Sequence, residues 1–177
     1  MRVFINPELP KPTLWLVGTG NLINHLGQLA TQVGFKVSRL DAELRPSEFS
    51  PDALTNGHDE GCYPIFAEPD DFIVIATPEK NIRSILIRAL ETEVCYIGLT
   101  EKDDGTEHQI NQMINTNDQT SRVSFPAGLD LGARTAQEAA LSILSEIVMV
   151  RRAGTGGRQQ DKCNSAMNAM YAAEPTR

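Results

Sequence analysis

An apolar run from Thr13 to Val17 ends in Gly18-Thr19-Gly20, and Asp41 follows 21 residues after the second glycine. A residue without Cβ permits a tight turn and lets the backbone approach a phosphate. The helix that follows such a turn presents free N–H groups and the positive end of its dipole. A carboxylate at the end of the next strand can accept hydrogen bonds from a ribose diol. These residues therefore point to a phosphate-bearing ligand. Gly18, Thr19, Gly20 and Asn21 would grip the phosphate through backbone amides, and Asp41 would hold a ribose without a 2′-phosphate. The third position of a full Gly-x-Gly-x-x-Gly pattern is Ile23, where Gly or Ala would allow helix and strand to pack closely, so the match is partial. Two glycines alone fit a tight turn with a solvated Asp. Strand before, helix after and acid in place tip the balance toward a nucleotide.

No catalytic group declares itself. A short-chain reductase needs a Tyr and a Lys four apart so that the cation lowers the phenol pKa, and none of Tyr63, Tyr96 or Tyr171 has that lysine. His25, His58 and His108 lack the spacing of a metal site. The run His58-Asp59-Glu60-Gly61-Cys62 reads as a solvated loop, with Cys62 a remote ligand candidate. Cys62, Cys95 and Cys163 are odd in number, contain no Cys-x-x-Cys pair and support neither a disulfide framework nor a zinc knuckle. Cys95 is expected inside a core strand as a small apolar filler.

The elements that must position these residues are legible from periodicity. Residues 1–12 carry Pro7, Pro10 and Pro12 and read as an extended entry. Strands are expected over Thr13–Val17, Phe35–Leu40, Phe72–Ala76 and Val94–Gly98, with a short one near Cys62–Phe66 inside an irregular connection from Asp41 to Pro69. Leu22, Leu26, Leu29, Ala30 and Val33 recur at helical spacing before Gly34, and Ile82, Ile85, Leu86 and Leu90 mark a second helix. A polar helix is expected over Thr106–Ile114. Thr135-Ala136-Gln137-Glu138 is a capping box that opens a final helix to about Arg152, with Leu141, Leu144, Ile147 and Val148 as its inward face. Strands that are continuously apolar and alternate with helices predict an α/β fold. The expected form is Rossmann-like and doubly wound, a mostly parallel sheet with helices on both faces. The expected organisation is one domain over 1–153 and a flexible tail over 154–177.

Composition narrows the partners. The formal net charge is −7, whereas a nucleic-acid binder must offset phosphate charge with clustered Lys and Arg. The one concentrated basic run, Arg151-Arg152, sits at a helix end where it complements the dipole. The apolar runs are too short to span a bilayer and no signal peptide pattern opens the chain, so the reading is cytoplasmic, with no membrane and no nucleic acid as partner.

The segment Phe125-Pro126-Ala127-Gly128-Leu129-Asp130-Leu131-Gly132-Ala133-Arg134-Thr135, followed by Glu138 and Ala140 to Ile147, closely resembles the C-terminal signature of the XdhC/CoxI family of xanthine dehydrogenase accessory proteins. Other pieces agree in order: Pro10 and Pro12, Gly18-Thr19-Gly20, Gly34-Phe35-x-Val37, Asp41 with Arg45, Asp70-Asp71, and Tyr96-Ile97-Gly98-Leu99. The resemblance covers roughly residues 4–152 and concerns the Rossmann half of the family alone.

That resemblance implies a maturation factor for a molybdenum hydroxylase of the xanthine dehydrogenase type. Such a factor binds molybdenum cofactor (molybdopterin), protects it and hands it over, and is a chaperone more than an enzyme. The implied site residues are Gly18, Thr19, Gly20, Asn21, Asp41, Thr77, Asp130 and Arg134. Arg134 is suited to pairing an anion in bidentate fashion, or else Asp130 and Arg134 bond only to backbone and to each other. The implied partners are the hydroxylase, a separate chain carrying the family's N-terminal domain, and a second copy in a homodimer. The sequence departs from the family at Asn21 in place of a His, at Thr77-Pro78-Glu79-Lys80 in place of a Thr-His-Asp-His type segment, and at Glu101-Lys102-Asp103-Asp104 in place of a Ser-Arg-Arg-Lys type run. The last change reverses charge and removes a contact that basic groups would make to an anionic cofactor. The competing expectation is a stand-alone NAD(P)-binding protein, either a sensor or an oxidoreductase.

Overall fold

The computed structural model describes residues 10–40, 65–77, 79–100 and 120–160. Strands β1 (Thr13–Gly18), β2 (Lys36–Leu40), β3 (Phe72–Ala76), β4 (Tyr96–Leu99) and β5 (Val123–Ser124) form one sheet in the order β2-β1-β3-β4-β5. Each neighbouring pair is parallel. Helices α1 (Asn21–Gln32), α2 (Glu79–Glu91) and α3 (Ala136–Arg151) cover the two faces, α2 on one and α1 with α3 on the other. This is the expected Rossmann-like α/β fold. Among the described residues no helix is long and apolar enough to cross a membrane.

Strand alternation explains why the central strands are so apolar. Leu14 and Leu16 of β1, Phe72 and Val74 of β3 and Tyr96 of β4 face α1 and α3; Val17, Ile73, Ile75, Ile97 and Leu99 face α2. With both faces covered, β3 and β4 are buried nearly throughout, while edge strand β2 keeps Lys36 and Arg39 exposed, and burial of each large side chain contributes about 1.5–3 kcal/mol relative to exposure.

The inward stripes of the helices differ from those the sequence suggests. On α1, Ile23 is buried at 1% exposure and Gly27 is buried, while Val33 lies beyond the helix at 50%. On α3 the buried set is Ala140, Ser142, Ile143, Leu144 and Ile147, while Leu141 and Val148 are exposed. The reason is tertiary, because α3 packs simultaneously on α1 and on the sheet. Two strands also start later than expected. Phe35 precedes β2, buried with its ring edge-on to Phe72 at 5.6 Å and the Arg151 guanidinium 4.9 Å above it. Cys95 precedes β4 and is exposed, not a core filler; its Sγ donates to the Asp71 carbonyl at 3.4 Å. Loss of solvent on its inner side pushes the thiol pKa up.

Two side chains tie the framework together. The buried Asp71 carboxylate accepts from Thr13 N at 2.6 Å, Trp15 Nε1 at 3.2 Å and Glu68 N at 3.0 Å, which pins β1 to the entrance of β3. Arg122, just ahead of β5, donates to the carbonyls of Leu90, Thr92 and Val94 at the end of α2. Residues 65–66 of the expected strand near Cys62–Phe66 are not in a strand. The rest of that strand, the helix over Thr106–Ile114 and the tail beyond residue 160 lie outside the described residues.

Candidate functional site

The carboxyl edge of the sheet holds the topological switch point. From β1 the chain turns outward through α1 to β2, then crosses back to β3 on the other side of β1, which leaves a crevice beyond the carboxyl ends of β1 and β3. Gly18 and Ala76 are paired in register at this point. A Cβ on Gly18 would lie 1.9 Å from the Ala76 carbonyl oxygen, and Gly18 has φ +120, so only glycine closes β1 onto β3 here. The space beside Gly20 is open among the described residues, with none of their atoms within 4 Å of where its Cβ would be.

Gly20 caps α1 with φ +102 and offers no side-chain hydrogen bond; the first turn contains no acidic residue. The amides of Asn21, Leu22 and Ile23 therefore face outward without an internal cap, at the positive end of the dipole. The contrast with α3 is instructive. There Thr135 Oγ1 accepts from Glu138 N at 3.2 Å while the Glu138 carboxylate accepts from Arg134 N at 2.8 Å and Thr135 N at 2.9 Å, which holds its pKa below the usual carboxylate range. One helix terminus is closed by its own chain and the other is open.

Thr77 follows β3 on this edge. It is 1% exposed, and its Oγ1 is the one buried side-chain oxygen or nitrogen among the described residues without a hydrogen-bond partner. Buried hydroxyls are nearly always paired, and an orphan costs about 1–3 kcal/mol. Thr77 thus follows the β3 residue paired with Gly18, on the same carboxyl edge as the Gly18-Thr19-Gly20-Asn21 turn. An unpaired buried donor and an uncapped helix terminus on one sheet edge fit an anionic, phosphate-bearing group.

The remaining sequence candidates are placed less closely. The loop carrying Asp130 and Arg134 starts at the same edge, where Ala127 N donates to Leu99 O at 2.8 Å, and it ends at the N-terminus of α3. Both side chains are exposed. Asp130 Oδ1 accepts from Gly132 N at 3.3 Å, and no ion pair joins it to Arg134 among the described residues. Asp41 lies outside the described residues.

Three residues escaped sequence reasoning. Glu146 on α3 accepts from Tyr96 Oη at 2.6 Å, Ser124 Oγ at 2.7 Å and Gly128 N at 2.6 Å, fastening the 127–135 loop and two strands to one helix. Burial and this carboxylate push the Tyr96 phenol pKa well up. Ser142 completes the attachment, its Oγ donating to Leu129 O. Gly27, one turn after Ile23, is where α1 comes close to the sheet. Its missing Cβ would lie 3.2 Å from Leu16 Cδ1 and 2.6 Å from Arg39 Nη2. The small residue demanded for close packing is therefore present, displaced by four positions. Arg39 lies across it at the carboxyl end of β2, donating from Nη1 to Asn24 Oδ1 at 2.7 Å.

The XdhC Rossmann domain family matches residues 14–147, from β1 to α3. The chain is 29% identical over 166 residues to the uncharacterized protein YqeB of Escherichia coli (strain K12), across 89% of this chain and 30% of that protein. It is 30% identical over 159 residues to a probable xanthine dehydrogenase subunit of Bacillus subtilis (strain 168), across 85% of this chain and 46% of that protein. A crystal structure described as a xanthine dehydrogenase from Bacillus halodurans shares the fold with a TM-score of 0.62 at 24% identity, across 81% of this chain and 45% of that one. The chain spans less than half the length of each of these relatives. With the match running through every described strand and helix from the glycine turn to the capped α3, the chain belongs to the XdhC Rossmann domain family.

Proposed function

We propose that this chain is an accessory factor for a molybdenum hydroxylase of the xanthine dehydrogenase type, one that holds molybdenum cofactor or a nucleotide in the switch-point crevice and acts by binding and transfer. The observation that carries the reading is that an uncapped α1 terminus and the buried hydroxyl of Thr77, unpaired among the described residues, lie on one edge of the sheet. In this reading the amides of residues 20–23 receive the ligand's phosphate and Thr77 donates one further hydrogen bond. Asp41 and Arg134 are the proposed contacts to the rest of the ligand. When bound, the cofactor supplies the molybdenum-centred oxidation chemistry that the client enzyme uses; no residue of this chain is assigned a catalytic role. Family membership and the name of the Bacillus subtilis relative support the hydroxylase as client. The further proposed partners are a chain carrying the family's N-terminal domain and a second copy.

The test is anaerobic co-expression with a molybdenum hydroxylase. Pterin fluorescence should co-elute with the chain and the hydroxylase should be captured by it; finding neither removes the reading. A stand-alone NAD(P)-binding protein is the second reading, favoured by the β1-α1-β2 geometry itself, and it requires NAD(H) affinity that falls in Asp41→Ala.

A further inference from the structure

Arg39 is a cation positioned in advance. It stands at the carboxyl end of β2, level with Leu16 of β1, and turns onto α1. Two features of α1 hold it there: the Asn24 side chain, which accepts from Nη1 at 2.7 Å, and the bare flank of Gly27, where a Cβ would lie 2.6 Å from Nη2. Any larger residue at position 27 would displace the guanidinium. Its described partner is a neutral amide, so the charge is uncompensated among the described residues, in a protein of net charge −7. A guanidinium carries five N–H donors, and Asn24 Oδ1 engages one nitrogen. The side chain is exposed, which leaves the outer edge of the fork open to an anion.

From this placement we infer that Arg39 binds a 2′-phosphate, so that the crevice takes a 2′-phosphorylated adenine nucleotide. The inference rests on the nucleotide reading of the same crevice. In a β-α-β unit the α1 terminus receives the phosphate bridge and the adenosine ribose lies at the carboxyl end of the second strand, where an Arg accommodates a 2′-phosphate and an acid accepts from a free diol. Arg39 is at that strand end. Asp41, two residues on, argues for the unphosphorylated ribose, so the two side chains predict opposite preferences and a binding comparison separates them.

The experiment is calorimetric titration of the full chain with 5′-AMP and with 2′,5′-ADP, for the wild type, Arg39→Gln and Arg39→Lys, with circular dichroism melts of each. A charge-assisted contact of about 1.5–3 kcal/mol predicts that 2′,5′-ADP binds at least about tenfold more tightly than 5′-AMP. Arg39→Gln should abolish that preference, and Arg39→Lys, which keeps the charge without the fork, should retain part of it. If the wild type binds both nucleotides equally, or Arg39→Gln keeps the preference, the assignment of Arg39 is overturned and the crevice reading stands. If the wild type binds neither, the nucleotide reading falls and takes this inference with it.

Discussion

At Gly18, where β1 meets β3, the chain has no room for a β-carbon, and at Thr77, just beyond β3, it has a buried hydroxyl with no partner among the described residues. The two residues carry opposite consequences. Gly18 is needed for the closure itself. Thr77 is a cost to the free protein that a ligand can recover, since a paired hydroxyl no longer carries the penalty of an orphan. Thr77→Val keeps the shape and deletes the hydroxyl. It should leave thermal stability unchanged or raise it by up to about 1 kcal/mol while weakening phosphate-ligand affinity about three- to tenfold. Melts and titrations on the same preparations check both. A variant that loses stability and binds normally would make Thr77 a packing residue only.

Among the elements, α1 and α3 show two ways to finish a helix. The capping box of α3 satisfies its own first turn, and Thr135→Ala should cost about 1 kcal/mol in chemical denaturation. Glu138 adds a pH dependence whose sign is set by its depressed pKa. Its contribution is complete above the unfolded glutamate value of about 4.3 and fades as pH falls through the lower folded value. Stability measured from neutral pH downward should drop less in Glu138→Gln than in the wild type across that window. The α1 terminus, with no cap and no acid, has no such term to lose.

At the scale of the whole molecule, Glu146 joins β4, β5 and the signature loop to α3. Glu146→Ala strands the Tyr96 hydroxyl, the Ser124 hydroxyl and the Gly128 amide together, and a loss of about 3 kcal/mol is expected from groups that each cost about 1–3. Tyr96→Phe alone should cost about 1 kcal/mol, and the double variant should cost less than the sum of the two, because one deleted partner no longer strands the other. Strict additivity in denaturant titrations would show that the network is not coupled. The raised Tyr96 pKa works in the alkaline direction: its contribution is present below the unfolded tyrosine value of about 10 and is lost as pH rises beyond it.

Much of this was legible in the residues because it depends on local physics. Phe72–Ala76 is apolar at every position because both its faces are covered, so it reads as a buried strand without knowledge of its neighbours. Gly18-x-Gly20 and the Thr135–Glu138 box are likewise visible, since positive φ and capping involve residues a few positions apart. Other features depend on what lies across a helix or a sheet. Leu141 and Val148 fit a helical stripe as well as Ile143 does, and only the seat of α3 on α1 turns them outward. Glu146 is an ordinary helix acid until Tyr96, fifty residues earlier, donates to it. Gly27 reads as a blemish in a helix until Arg39 is laid over it, and Thr77 is one threonine among several until its hydroxyl is found buried without a partner. Sequence determined the elements and the turn, because those energies are local; tertiary packing decided which side chains are paired, exposed or left waiting, because those energies come from residues far apart in the chain.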